Sequence, residues 1–159
     1  MLITFLNLLE CAGVRRLAYK GKHQVMKKQI ASSQYYDLAV DVSKNRLYIT
    51  SKGFWNKGEI IDAYHQCQTE ALTHVKPNFT LVADMRDFKI LPQDLVPKQE
   101  ATHKDLAKAG MYRVACIVPA SAVANFQLRD VAKGTEMPEQ RFAVMSEGEA
   151  WLDAESGKL

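Results

Sequence analysis

A largely apolar run, Phe79 to Ala83, stops abruptly at Asp84-Met85-Arg86-Asp87-Phe88. A strand covered on both faces shows a continuous apolar run rather than alternation, so this stretch predicts a central buried strand with a charged carboxyl end. Ligands in open α/β sheets sit just beyond such ends, which makes this the first place to look for function. Upstream, Tyr36, Leu38, Val40 and Val42 alternate with Asp37, Ala39 and Asp41, the period-2 signature of an edge or outer strand over residues 36 to 42. Ser43-Lys44-Asn45 supplies a tight turn, and Arg46 to Ser51 alternates again through Leu47 and Ile49, predicting an antiparallel hairpin. After Gly53-Phe54-Trp55-Asn56-Lys57-Gly58, Asn56 can cap a helix, with Glu59 three positions on as the acid of a capping box. That helix places Ile60, Ile61, Tyr64, Gln68, Ala71, Leu72 and Val75 on one face and must end before Pro77.

Beyond the central strand, Pro92, Asp94 and Pro97 suit a first helical turn, where a missing amide proton costs little. Leu95, Gln99, His103 and Leu106 then mark a more polar, surface-lying helix that Gly110 stops. Tyr112 to Val118 reads as a second near-continuous apolar strand ended by Pro119. Ser121 can cap a third helix carrying Val123, Phe126 and Val131 as far as Gly134. Arg141-Phe142-Ala143-Val144 reads as a short last strand, and Ser146-Glu147-Gly148-Glu149 as a capping box opening a helix with Trp151 and Leu152 in the core. The tail from Glu155 is expected to fray.

The predicted order is ββαβαβαβα. Strands alternating with helices require crossovers, so the fold class is α/β, with a mixed, mostly parallel sheet of four to five strands behind an amino-terminal antiparallel hairpin. A chain of 159 residues matches one domain and can bury about two-thirds of its unfolded surface. The domain is expected to span residues 34–154, after a basic leader over 1–33 and before a tail at 155–159.

Charge changes the picture little. The net charge of +3 resides in residues 1–25, where Arg15, Arg16, Lys20 and Lys22 face only Glu10. A neutral body argues against a nucleic-acid footprint. The leader's apolar start, Met1 to Leu9, is too short to span a membrane, which takes about 20 apolar residues. It also lacks the basic front and cleavage site of a signal peptide. Met26-Lys27-Lys28 offers a second translation start, so the leader is expected to be disordered or absent from the native chain. Cys11, Cys67 and Cys116, odd in number and far apart, fit reduced thiols and a cytoplasmic location. Cys116, inside Val114-Ala115-Cys116-Ile117-Val118, reads as a small buried hydrophobe. His65, Cys67, His74 and His103 lack metal-site spacing, so neither a metal nor a cofactor is expected.

The element order, together with N-R-L-Y-I-T-S-K-G at 45–53, L-V-A-D-M-R-D-F at 81–88, A-C-I-V-P at 115–119 and F-A-V-M-S-E-G-E-A-W-L at 142–152, resembles the SpoIIAA-like, or STAS-like, family over about residues 36–153. The resemblance implies kinship with anti-sigma factor antagonists and with lipid-carrying domains of the CRAL-TRIO type. Antagonists of that kind are switched by phosphorylation of a Ser or Thr following Asp after the central strand. The matching stretch here, Asp84-Met85-Arg86-Asp87-Phe88-Lys89, has no hydroxyl to accept a phosphate, so the switch does not carry over.

Two readings of the charged cluster remain. Arg86 can clamp Asp84 or Asp87 structurally, or it can anchor an anionic head group together with free helix amides near Ser121. Acid/base chemistry by Asp84 and Asp87 lacks any accompanying nucleophile, so no catalytic role is expected. Phe54 and Trp55 either gate an apolar ligand or partner or plug the sheet against the next helix. The candidate binding residues are therefore Asp84, Arg86, Asp87, Phe54, Trp55, Phe88 and Ser121. The first expectation is a non-catalytic interaction module holding another protein; the alternative is a small apolar-ligand or lipid carrier with a cavity near Phe54, Phe88 and Ile90. The edge strand at 36–42 invites homodimerisation unless Asp37 and Asp41 discourage it.

Overall fold

The structure, a computed structural model, describes residues 27–123 and 138–159. The leader residues before 27, with Cys11, and the expected helix positions Phe126, Val131 and Gly134 lie outside the described residues. Six strands form one sheet in sequence order: β1 (Lys27–Ser32), β2 (Tyr36–Asp41), β3 (Arg46–Gly53), β4 (Phe79–Phe88), β5 (Met111–Ile117) and β6 (Glu139–Phe142). The first three pair antiparallel and the rest parallel, so the sheet is α/β, mixed and mostly parallel, as the periodicities predict. Helices α1 (Gly58–Leu72) and α2 (Val96–Lys108) make the crossovers from β3 to β4 and from β4 to β5, and α3 (Met145–Ser156) follows β6.

Two cores lie on the two faces of this sheet. Leu38, Val40, Leu47, Ile49, Leu81 and Val114 pack beneath Ile61 and Tyr64 of α1 and Leu106 of α2. On the opposite face Tyr48, Val82, Ala115 and Ile117 pack beneath Leu152 of α3. Successive residues of a strand point to opposite faces, so β4 supplies Leu81 to one core and Val82 to the other. That double burial explains its unbroken apolar run.

The structure corrects several expectations. Lys27–Ser32, assigned to the leader, pairs with β2, so the sheet begins ahead of residue 34 and β2 is not an edge. This strand is held by backbone pairing, by polar contacts and by Ile30 and Ala31, which pack against the core without an alternating apolar pattern. Lys27 Nζ lies 3.7 Å above the Tyr48 ring, and Ser33 Oγ accepts the Tyr35 and Tyr36 amides at 3.1 and 3.0 Å to close the turn. Val42 falls in the turn between β2 and β3 and is exposed, and Asn45 carries the left-handed backbone (φ 49°) that turn needs.

Neither expected capping box forms. Helix α1 starts at Gly58 from an extended Lys57, and α3 starts at Met145, which puts Ser146 inside the first turn where it cannot cap. Gly148 instead serves contact: a Cβ there would lie 2.8 Å from Ile117 Cδ1 and 3.2 Å from Ala115 Cβ, so its absence lets α3 approach the sheet. The last strand runs Glu139–Phe142 rather than 141–144, leaving Val144 exposed. Trp151 is half-buried, its ring 5.7 Å from Phe142, rather than fully in the core.

Candidate functional site

Asp84 and Arg86 project from the same face of β4. Arg86 folds back onto Asp84, donating from Nε to Oδ1 at 2.9 Å and from Nη2 to Oδ2 at 2.6 Å, while its backbone amide donates to Oδ1 at 3.2 Å. Burial alone would push the Asp84 carboxyl up, but these bonds and the guanidinium charge hold it below the ordinary range. Asp87, exposed, follows a register irregularity and pairs across to Lys52.

The aromatics separate. Trp55 is wholly buried, 5.1 Å from Tyr64 and 5.4 Å from Phe88 between ring centres, and its indole N–H donates to the carbonyls of Tyr35 (3.1 Å) and Lys52 (3.2 Å). Phe54 beside it is 45% exposed. Ser121 is exposed and lies within helical residues 120–123 rather than ahead of them, so it does not take the N-cap position. The seven sequence-derived candidates thus do not converge on one site.

What β4 and β5 do form together is a cavity on the α1 and α2 face. Its outer part, about 400 Å³, is walled by Met85, Phe88, Cys116 and Val118, with Glu139 and Arg141 on the β6 side. An inner part of about 110 Å³ shares Met85, Cys116 and Glu139 and reaches Leu81, Val114 and α2. Ala83 and Met85 line it, so the intervening Asp84 and its Arg86 partner lie on the other face of the same strand. Of the candidates, Phe88 alone lines the cavity among the described residues, and Ala122, next to Ser121, forms part of its rim.

Besides Ser51 and Tyr64 in the inner part, few polar side chains meet this space. Arg141 Nε donates to Glu139 Oε1 at 2.8 Å across two positions of β6. From α2, the Gln99 amide nitrogen lies 3.3 Å from His103 Nε2, while Gln99 Oε1 is buried without a hydrogen-bond partner. Burial pushes the His103 imidazole below its ordinary value, and Glu100 opposes the shift. These four residues and Met85 were not singled out as a site from sequence. The available signal was the spacing of Gln99 and His103 on one helical face and of Glu139 and Arg141 on one strand face.

No family model matches this sequence, and no curated protein matches it. Among solved structures the chain is similar to an uncharacterized protein of the DUF3478 family from Shewanella loihica PV-4, described as having a SpoIIAA-like fold. The identity is 14%, the TM-score 0.55, and the match covers 83% of this chain and 99% of that one. The fold is SpoIIAA-like. Within this SpoIIAA-like sheet the cavity occupies the carboxyl ends of two central parallel strands, where α/β folds place ligands. Among the described residues, no three His, Cys, Asp or Glu side chains gather in a way that could hold a metal ion, and no helix is long and apolar enough to cross a membrane. His65 pairs with Asp105 at 2.7 Å, Cys67 meets the Tyr36 hydroxyl at 3.8 Å, and His74 lies 3.3 Å from Lys28.

Proposed function

We propose that this chain is a non-catalytic binding module that holds a small, mainly apolar ligand at the carboxyl ends of β4 and β5, beside the start of β6. The observation that carries the reading is the cavity of about 400 Å³ walled by Met85, Phe88, Cys116 and Val118. It falls within the range of small-molecule sites, which are mostly apolar with few polar groups. The resemblance to lipid-carrying domains points the same way. The expected location shifts, however: Ile90 and Phe54 point into solvent, and the ligand space lies behind Phe88 instead. The Asp84–Arg86 pair, each holding the other on the opposite face, acts in this reading as a structural clamp.

The test is titration with Nile red alongside native mass spectrometry of protein purified from its own cells. Saturable Nile red binding and a co-purifying small-molecule mass are expected, and Met85→Trp, which fills the shared wall, should abolish dye binding while leaving the melting temperature nearly unchanged. Absence of dye binding together with a bare polypeptide mass would remove the proposal.

A second reading, a protein-binding module, has its own support. Lys89 N–H donates to Gly53 O at 2.9 Å, which ties together the loops carrying Phe54 and Ile90, 45% and 89% exposed. Two large apolar side chains presented at one sheet end form a contact patch. A reproducible partner lost on Phe54→Ser, with no small molecule bound, would favour it.

A further inference from the structure

Two hydroxyls line the inner compartment, one from the sheet and one from α1. Strand β3 sends Tyr48 and Thr50 to the α3 face and Ile49 and Ser51 to the compartment, so the pleat fixes the direction of the Ser51 side chain. Tyr64 reaches the same space from α1, its ring held 5.1 Å from Trp55 and 5.6 Å from Tyr36 between centres. Ser51 and Tyr64 are 5% and 3% exposed, and neither hydroxyl has a hydrogen-bond partner among the described residues. The longer polar side chains of the lining are turned to one another or to a neighbour: Gln99 meets His103 at 3.3 Å, and Glu139 accepts from Arg141 at 2.8 Å. Burial pushes the Tyr64 phenol above its ordinary pKa, which keeps it a neutral donor.

We infer that the ligand is an apolar molecule with an acceptor oxygen at its inner end, held by the Ser51 and Tyr64 hydroxyls, and that its apolar remainder extends past Met85 toward Phe88. This names the ligand class for the binding reading and rests on it. The two compartments adjoin along Met85, Cys116 and Glu139, which line both. A hydrocarbon end pushed into the inner compartment would strip both hydroxyls of water and give them no partner, whereas an oxygen can accept from either one. The polar end therefore enters first.

Nile red displacement by methyl hexyl ketone and by isononane compares two molecules of the same heavy-atom skeleton that differ in the carbonyl oxygen. The ketone should displace the dye from the natural chain. Ser51→Ala and Tyr64→Phe, which remove only the hydroxyls, should each weaken the ketone by about three- to tenfold while isononane binds as before or more tightly. Equal weakening of both probes, unchanged ketone binding in both variants, or a ketone that never displaces the dye overturns the inference while leaving the cavity a ligand site. Should the variants fold poorly, the carbonyl stretch of ketone bound to the natural chain decides. It should lie below that of the ketone in hydrocarbon solvent, and an unshifted stretch overturns the inference. Failure of Nile red and both probes to bind the natural chain sinks the underlying reading and this inference with it.

Discussion

Asp84 and Arg86, two positions apart on β4, grip each other through parallel bonds of 2.9 and 2.6 Å on the face of the strand that turns away from the cavity. Both carboxylate oxygens and two guanidinium nitrogens are thereby committed. A pair so arranged stabilises the strand end more readily than it receives a ligand.

Arg86→Ala should cost about 1–2 kcal/mol, because the Asp84 carboxylate is mostly buried while the guanidinium is half exposed and screened. Nile red binding should be unchanged, since the cavity is on the other face. The native state holds this carboxyl below its ordinary range, so the unfolded chain binds more protons there and the stabilisation is lost as pH falls below about 3.8. Urea midpoints of the two proteins should converge in strong acid. Dye binding lost in a folded Arg86→Ala protein would contradict the assignment.

His103 predicts a second pH dependence of the same sign at higher pH. Burial holds its imidazole below 6.5, so the unfolded chain takes up a proton that the native state resists. Stability should be fully present above about 6.5 and decline as pH falls from there toward the depressed value. The groups that face it are Tyr64, Cys116 and Glu139 across the cavity and Glu100 on its own helix. Chemical denaturation of His103→Gln across this window should lack the decline, and an identical slope in both proteins would refute it.

Gly148→Ala should destabilise by about 1–3 kcal/mol, because the new methyl meets Ile117 and Ala115 and forces α3 off the sheet. Gly157→Ala, whose methyl would meet only backbone oxygens at 3.5 and 3.7 Å, should shift stability by no more than about 0.5 kcal/mol. Thermal unfolding of the two variants side by side provides the check.

Neighbouring aromatics should respond in opposite ways. Trp55→Ala removes a fully buried ring and two indole hydrogen bonds and should cost about 3–5 kcal/mol. Phe54→Ser should leave the unfolding midpoint within about 0.5 kcal/mol of the parent. Equal losses in both would mean that Phe54 is packed.

Elements defined by their own side chains were readable directly. The apolar run at 79–83, the alternation from Tyr36 to Val40 and the threefold-fourfold spacing from Ile60 to Ala71 each reports burial that the local element itself requires. What failed to show were features that depend on a neighbour. Lys27–Ser32 has no apolar pattern because its pairing is made by backbone groups, which every residue carries alike. Ser146 and Asn56 looked like caps because their residue types suit one, yet packing of α3 and the extended Lys57 set the helix starts elsewhere.

The sequence by itself determined the order of elements from β2 to β5 and the depth of β4, since the burial of each of those strands is written in its own side chains. Which face each residue of that strand serves was decided only by assembly. Asp84 and Met85 are adjacent in the chain, but the pleat sends one to an ion pair beside the α3 layer and the other into a cavity completed by α2, β5 and β6. Gln99, Cys116 and Glu139 lie on three separate elements, and no local pattern encodes the packing that brings them around one space.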